Sequence, residues 1–183
     1  MYRRTSIAVL LLFFSQGSLA DSFDINVSDD SVEMTYAHAF RSAEASFGAL
    51  YNDDQDDWLA EVGLVSLGSK QSAQSRSDVG LGGRIYAASA SDNDVLALAL
   101  GGQFTWFPGN GIIGVGGYFF YAPDILTGGD SENFWDAAVR LEFEVIRQSA
   151  TVYLGYRKIE TRLDNGPDVT LDKGANIGLR IRF

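Results

Sequence analysis

KGANIGLRIRF, residues 173–183, is the segment of the chain that decides the fold. Successive side chains of a β-strand point to opposite faces, so alternate positions form an apolar face made of Ala175, Ile177, Leu179, Ile181 and Phe183. The other face includes two arginines, Arg180 and Arg182. An apolar face toward lipid and a polar face toward a lumen are typical of a strand in a transmembrane β-barrel.

The end of this strand also predicts how the chain is assembled. The alternating apolar residues Ile177, Leu179 and Ile181 lead to an aromatic residue, Phe183. This ending resembles the C-terminal signal by which bacterial outer-membrane barrels are recognised for assembly. We therefore expect the barrel-assembly machinery to be a partner during biogenesis.

The N-terminal segment has the pattern of a secretory signal peptide. Two arginines precede the apolar run Ile7 to Phe14, and Ser18-Leu19-Ala20 supplies small residues before a cleavage point. The run is too short for a membrane-spanning helix, which needs about 20 residues. The sequence therefore predicts a cleaved signal peptide over 1–20 and one outer-membrane barrel domain over 21–183, exported through the periplasm.

Composition narrows the classes of protein and partner. The chain has 20 glycines but 3 prolines, which suits strands because proline cannot donate to their ladders. It has no cysteine, so thiol and disulfide chemistry are excluded. Its formal net charge is −10, which does not suit nucleic acid, because phosphates need a basic face. We expect no nucleic-acid partner and no cofactor.

Segments with a period of two recur along the chain, separated by turn residues. In 136–146, Val139 and Leu141 alternate with the polar residues Arg140 and Glu142. The pattern predicts an all-β fold, an antiparallel up-and-down transmembrane barrel of ten strands, with eight as the runner-up if the first hairpin lies outside the barrel. The predicted strands are 22–28, 32–40, 43–52, 58–67, 78–88, 95–107, 112–122, 134–146, 150–161 and 174–183.

Two features bear on whether the barrel stands in a membrane. Periodicity does not reveal which face lies inside, so a soluble sandwich or lipocalin-like barrel is the alternative. However, the predicted connections alternate between tight turns and longer acidic loops, as in outer-membrane barrels with both termini in the periplasm. One connection, Gly68 to Ser77, is long for a periplasmic turn.

The sequence resembles the YfaZ family of small outer-membrane proteins over nearly the whole region after residue 20. The resemblance is carried by the acidic loop Asn52–Asp57, by Tyr121-Ala122-Pro123-Asp124, by Gly155-Tyr156-Arg157 and by the terminal aromatic strand. It implies a porin-like outer-membrane barrel in a Gram-negative envelope. It supplies no catalytic residue.

The first candidate site is a charge network in the lumen. The expected members are Glu61, Arg84, Arg140, Glu142, Glu144, Arg157, Arg180 and Arg182. We expect Arg140, Arg157, Arg180 and Arg182 to pair with Glu61, Glu142 and Glu144 and to fill the interior, since buried charges persist only when paired. A charged constriction that selects solutes by sign is the alternative.

Two further candidates carry weaker signals. Asp53, Asp54, Asp56 and Asp57 could hold a divalent cation, whose ligands are oxygens, although no EF-hand spacing is present. A solvated, self-repelling loop is the other interpretation. His38, the single histidine, is predicted to point outward and away from Glu33 and Glu44, which does not suit an enzyme.

The combined prediction is a non-enzymatic integral outer-membrane barrel, either structural or a narrow solute channel with a charged lumen. A surface interaction protein that uses its acidic loops for adhesion or phage docking is the alternative. A barrel enzyme acting on lipid or peptide is a third and less favoured class. Outer-membrane lipid and lipopolysaccharide are the expected partners.

Overall fold

A computed structural model describes residues 21–90, 93–109, 111–163, 166 and 168–183. Within these residues, ten strands form a closed antiparallel ring and one short additional strand pairs at its rim. The predicted signal peptide, residues 1–20, lies outside the described residues. No helix in the described ranges is long and apolar enough to cross a membrane.

The strands follow the predicted positions closely, and the fold class of ten strands is confirmed. The ring runs in chain order from β1 to β7 and then through β9, β10 and β11 back to β1. The short β8 pairs with the start of β6, after a single 3-10 turn at Asp124–Leu126. The strands are β1 Asp21–Ser28, β2 Ser31–Phe40, β3 Ala43–Asn52, β4 Asp57–Gln71, β5 Ser75–Ala90, β6 Asn93–Pro108, β7 Ile113–Ala122, β8 Thr127–Gly129, β9 Ser131–Ile146, β10 Ala150–Leu163 and β11 Asp168–Arg182.

The first and last strands close the barrel. Ile25 of β1 lies opposite Leu179 of β11, and the register continues along the whole of β1. At the rim, the Asp21 N–H donates to the Phe183 carbonyl at 2.9 Å, and the Phe183 N–H donates to the Asp21 carbonyl at 2.8 Å. The first hairpin is therefore part of the ring, which excludes the eight-stranded runner-up.

The connection from Gly68 to Ser77 was predicted to be a long turn, and this prediction is wrong. β4 continues to Gln71 and β5 begins at Ser75, so the turn itself is only Ser72–Gln74. Lys70 pairs with Ser77 and Gln71 with Arg76. Polar residues in this segment extend the hairpin instead of interrupting it, and the connection becomes as tight as its neighbours at the same end.

We name the two ends of the barrel by what they carry. The terminal end bears both strand termini, Asp21 and Phe183, and the turns after β2, β4, β6 and β9. The loop end bears the remaining connections, including the turn Asp53–Asp56 and the segment Pro123–Asp130. This alternation of short turns and acidic loops matches the predicted pattern.

Candidate functional site

The lumen contains a network of ion pairs about halfway along the barrel, with Arg157 of β10 at its centre. The Arg157 Nε donates to Asp172 Oδ2 at 2.7 Å, and its Nη1 donates to Glu33 of β2. Its Nη2 also contacts the Ser31 hydroxyl, which donates to Asp172 Oδ1 at 2.7 Å. The side chain is 1% exposed, so the guanidinium is removed from water and compensated by two carboxylates.

A second cluster surrounds Arg84 of β5. Its Nη1 lies 2.9 Å from Glu61 Oε2 and 3.9 Å from Asp136 Oδ2. The Tyr86 hydroxyl donates to the same Asp136 oxygen at 2.9 Å. The guanidinium also stacks over the Phe120 ring, 4.2 Å from its centroid. Arg84 therefore joins the charged part of the lumen to the aromatic residues next to it.

Asp24 of β1 is the centre of a third cluster. Arg180 Nε lies 2.8 Å from Asp24 Oδ2, and the Tyr153 hydroxyl donates to Asp24 Oδ1 at 2.5 Å. Arg140 stacks over the Tyr153 ring at 4.6 Å and lies 4.0 Å from the same carboxylate. The Tyr153 ring occupies the space where Gly178, its cross-strand partner, would carry a side chain. Glycine at this position is therefore needed for the tyrosine to lie over β11 and reach Asp24 on β1.

The terminal end of the lumen is more open. Arg76 of β5 pairs with Glu144 of β9 at 2.6 Å, and Glu44 accepts from Gln103 Nε2 at 3.1 Å. These groups line a cavity of about 550 Å³, together with residues such as Asp78 and Arg182. Acidic and basic side chains are mixed on its wall, so the cavity carries no single sign of charge.

The loop half of the lumen is filled largely by apolar side chains, which we call the apolar plug, with a few buried polar groups such as Asp57 and Thr161 beside them. Leu126 and Val169 pack against it from the loop side. Phe120 and Phe134 are fully buried at its centre, and the Phe134 ring lies 4.6 Å from that of Tyr86. The plug consists of Leu50, Leu59, Ala88, Ala90, Val95, Ala97, Ala99, Phe120, Ala122, Phe134, Ile159 and Leu171.

The outer wall differs from the charged part of the lumen. Alternate residues of the ring strands put large apolar side chains outward, and Phe47, Leu81, Val139 and Leu154 are each about half exposed or more. Tyr51, Trp58, Trp106 and Tyr121 stand near strand ends on the same wall, as expected of an interfacial girdle. Charges inside and apolar residues outside exclude a soluble sandwich or lipocalin-like barrel, whose apolar face would form the core. The protein is a transmembrane barrel of the outer membrane.

Sequence comparison assigns the family. Residues 2–183 match the family model described as YfaZ precursor. The chain belongs to the YfaZ family. No protein with a curated description matches the sequence significantly. The match to the family model confirms the predicted family resemblance. The term precursor in its description is consistent with an exported protein.

Three solved structures align with most of the chain at low sequence identity. The outer membrane channel DcaP of Acinetobacter baumannii aligns at 10% identity and a TM-score of 0.38, over 93% of this chain and 60% of that one. This YfaZ-family chain thus spans about three-fifths of the length of DcaP. The KdgM porin aligns at 12% identity and a TM-score of 0.43, over 90% and 99% of the two chains. The NanC porin aligns at 10% identity and a TM-score of 0.40, over 91% and 100%.

The structure places all eight predicted lumen residues on the inner face, but their pairing differs from the prediction. Arg180 approaches Glu142 at 3.7 Å, as predicted, yet its shorter contact is with Asp24. Glu61 pairs with Arg84 and Glu144 with Arg76, neither of which was among the four predicted arginine partners. The main correction is that the partners of Arg140 and Arg157 are Asp24, Glu33 and Asp172.

Sequence reasoning missed several members of the network, for identifiable reasons. Arg76 and Asp172 were assigned to connections, whereas β5 and β11 extend through them. Asp24 lies on a predicted strand but was not singled out, because one aspartate that shares its face with Ser22 and Asn26 does not indicate a charge network. Strand parity did carry a usable signal for Asp136, which lies on the same face of the strand as Arg140 and Glu142.

The four aspartates proposed as a weak cation site do not converge. Asp57 is the first residue of β4 and is buried, whereas Asp53, Asp54 and Asp56 are exposed in the preceding turn. The Tyr51 hydroxyl donates to Asp56 at 2.8 Å. Over the described ranges, no group of three or more histidine, cysteine or carboxylate side chains is arranged to hold a metal ion.

His38 lies on the outer wall, as predicted, near the terminal end. Its Nδ1 is 2.6 Å from Asp21 Oδ1, and its ring stacks on Phe40. The Tyr36 hydroxyl donates to the other oxygen of Asp21 at 2.7 Å. The histidine is thus tied to a carboxylate that also accepts from a phenol, and the arrangement fixes β1 against β2 at the rim.

Proposed function

We propose that this YfaZ-family protein is a non-enzymatic outer-membrane barrel with a closed lumen and a structural role in the membrane. The apolar plug is the observation that carries the proposal. It fills the loop half of the lumen with side chains that are almost completely buried, including Phe120, Phe134 and Leu171. Water and ions have no path of low energy through such a region, because apolar atoms do not replace hydration.

The network around Arg157 supports the same function. It joins Glu33 on β2 to Asp172 on β11 through one guanidinium, so it bridges different parts of the wall. A side chain held by two carboxylates and a hydroxyl has little freedom to move aside. The polar groups of the lumen therefore act as an internal brace, and the cavity of about 550 Å³ is a blind vestibule open toward the terminal end.

Solute efflux from liposomes tests the closed lumen. The full chain is refolded into vesicles loaded with a small sugar, and release is compared with that from vesicles containing a general porin. We expect release close to that of empty vesicles. Rapid release by the wild type would show that the plug does not close the lumen and would favour the narrow channel with a charged constriction.

A surface interaction role is the second candidate, because two acidic turns lie together at the loop end. The Asp53 N–H donates to the Asp30 carbonyl at 2.8 Å, which joins the β1–β2 turn to the β3–β4 turn. Asp29, Asp54 and Asp56 are also exposed there. A shared acidic surface suits a basic partner, such as an adhesin receptor or a phage fibre tip. To test this role, binding of the partner is compared between cells that display the wild-type protein and cells that display a variant with Asp→Asn changes in both turns.

The steps of biogenesis complete the proposal. We infer that a signal peptide over 1–20 is removed and that the assembly machinery recognises the outward side chains of β11. Ile177, Leu179, Ile181 and Phe183 all point outward along the strand that closes the ring. Such a strand presents a continuous apolar face and, until β1 pairs with it, an edge of unpaired backbone N–H and C=O groups. N-terminal sequencing of the mature protein tests the cleavage point.

The non-enzymatic assignment rests on the surroundings of His38. Its carboxylate partner, Asp21, is also bound by a tyrosine hydroxyl, and the dyad faces the outer wall beside Phe40. A phenol bonded to the carboxylate is not positioned as a nucleophile for the imidazole, which is the relationship that acyl transfer requires. Measured turnover of lipid esters or peptides by the purified wild type, lost in His38→Ala, would contradict the assignment.

A further inference from the structure

The outer wall of the barrel carries a basic and aromatic patch at the loop end of β9, β10 and β11. We call it the outer basic patch; it consists of Trp135, Lys158, Glu160, Arg162 and Lys173. On β10 these residues directly follow an apolar series on the same face, Val152, Leu154 and Tyr156. The patch therefore begins where the apolar wall ends.

The position of these basic residues is unusual for this chain. In the part of the chain that the structure describes, the other lysines and arginines lie in the lumen, on the lining of the vestibule, or in turns at the terminal end. The loop end is otherwise acidic, with exposed aspartates in several turns. Positive charge on the outer wall at this end is thus confined to one set of neighbouring strands, where Arg162 is already paired with Asp168 at 2.8 Å and the two lysines carry the uncompensated charge.

Lys158 is held in place against the wall by two side chains. Its Nζ lies 2.6 Å from Glu160 Oε2 and 4.9 Å from the centroid of the Trp135 ring. The Trp135 Nε1 donates to Glu160 Oε1 at 3.2 Å, and the Thr170 hydroxyl donates to Glu160 Oε2 at 3.4 Å. The ammonium group is therefore ordered before any ligand arrives, which lowers the entropic cost of binding.

Lys173 is the cross-strand partner of Lys158 on the same outward face. Like charges directly opposite each other on neighbouring strands destabilise a sheet. Glu160 compensates Lys158, whereas Lys173 is exposed and makes no ion pair with a carboxylate among the described residues. Two opposed lysines with one carboxylate between them leave a net positive charge that an anion from outside the chain would neutralise.

We propose that the outer basic patch binds the phosphate of an anionic membrane lipid. The patch stands on the lipid-facing wall at the margin of the apolar surface, which is the level of the headgroups. Tryptophan and tyrosine prefer this level, and Trp135 and Tyr156 flank the two lysines. The acyl chains would lie along the apolar wall below, against Leu154 and its neighbours. The site depends on the barrel standing in a membrane and not on whether the lumen conducts.

Native mass spectrometry of the folded full chain in neutral detergent tests the site. Phosphatidylglycerol and phosphatidylcholine are titrated separately, and the fraction of protein with bound lipid is measured. We expect a preference for phosphatidylglycerol that falls about fivefold for each lysine removed in K158A and K173A. The Glu160→Gln variant should bind phosphatidylglycerol more tightly than the wild type, because it removes the competing carboxylate.

The Arg147→Ala variant is the matched control, since it removes an exposed basic residue from a turn at the opposite end. Heat-modifiable migration confirms that each variant is folded. If the double variant K158A/K173A binds phosphatidylglycerol as well as R147A does, the site is wrong. If inorganic phosphate binds while phosphatidylglycerol has no advantage over phosphatidylcholine, the patch binds a soluble anion and the assignment to a lipid is overturned.

Discussion

Leu171 and Asp172 are consecutive residues of β11 that both turn their side chains into the barrel. The pairing of β10 with β11 shifts register between Ile159 and Glu160, so the normal alternation of faces is interrupted there. Leu171 joins the apolar plug, and Asp172 accepts from Arg157 at 2.7 Å. A bulge of this kind redirects one side chain without breaking the strand. On β11, the apolar plug and the charge network therefore meet between these two consecutive residues.

The network should be essential to the stability of the barrel. Replacing Arg157 with Ala leaves Glu33 and Asp172 buried without their common partner, which should cost about 3–5 kcal/mol of unfolding free energy. Arg162→Ala is the control, because Arg162 pairs with Asp168 at 2.8 Å on an exposed part of the same strand. It should leave stability nearly unchanged. Urea titration of both variants in lipid vesicles measures the difference, and equal destabilisation would contradict a bracing role.

The assignment of faces predicts that an arginine substitution destabilises the barrel at a lipid-facing position and is tolerated at a water-facing one. Leu141 points outward from the middle of β9 and is 55% exposed. Leu141→Arg should destabilise the barrel by about 2–4 kcal/mol if the residue lies near the bilayer midplane. Ile125→Arg makes the same kind of substitution in the exposed 3-10 turn at the loop end. Because that side chain is already in water, the change should have little effect on stability. Refolding yields in vesicles distinguish the two. Similar tolerance of both changes would show that Leu141 does not face lipid.

The terminal aromatic residue should govern insertion. Phe183 and Phe40 both point outward at the terminal end of the barrel, but only Phe183 ends the strand predicted to be recognised. Phe183→Ala should lower the amount of folded protein in the outer membrane, while Phe40→Ala should leave it near the wild-type level. The heat-modifiable fraction on gels reports both. Equal incorporation of the two variants would mean that Phe183 is not an assembly signal.

Much of the fold follows from local sequence, because each strand carries its own alternation. The predicted bounds of β3 match those observed, and those of β1, β2 and β7 differ by one residue. The larger errors occur where strands extend beyond the apolar wall. Residues at the start of β5 such as Arg76 are polar, and their pairing with β4 and β6 keeps them extended. A pattern based on hydrophobicity does not record that pairing.

The site was harder to predict than the fold. Parity assigns Glu61, Arg84 and Arg140 to the lumen, but it does not determine which charged groups meet across it. That depends on strand tilt and on the bulge near Ile159, which no single strand encodes. The apolar plug was not predicted, since its alanines and leucines occupy positions that alternate with lipid-facing residues and resemble them. Closure of the lumen is therefore a property of the assembled ring.

The plug can also be tested by comparing two phenylalanines of the same strand. Phe134 lies inside the plug against Tyr86, whereas Phe143 points outward toward lipid. Phe134→Ala removes packing from the centre of the plug and should allow water and ions to enter, so that brief conducting events are seen. Phe143→Ala should behave like the wild type in the same recordings. If neither variant differs from the wild type, Phe134 does not close the lumen.

Single-channel recording of the wild-type protein in a planar bilayer tests the closed lumen most directly. The recording is made at both polarities in concentrated potassium chloride, after refolding has been verified by heat-modifiable migration. With the loop half of the lumen filled by the apolar plug and Arg157 fixed below it, we predict no steps of porin size at moderate voltage. Stable wild-type conductance of porin size would contradict the closed lumen.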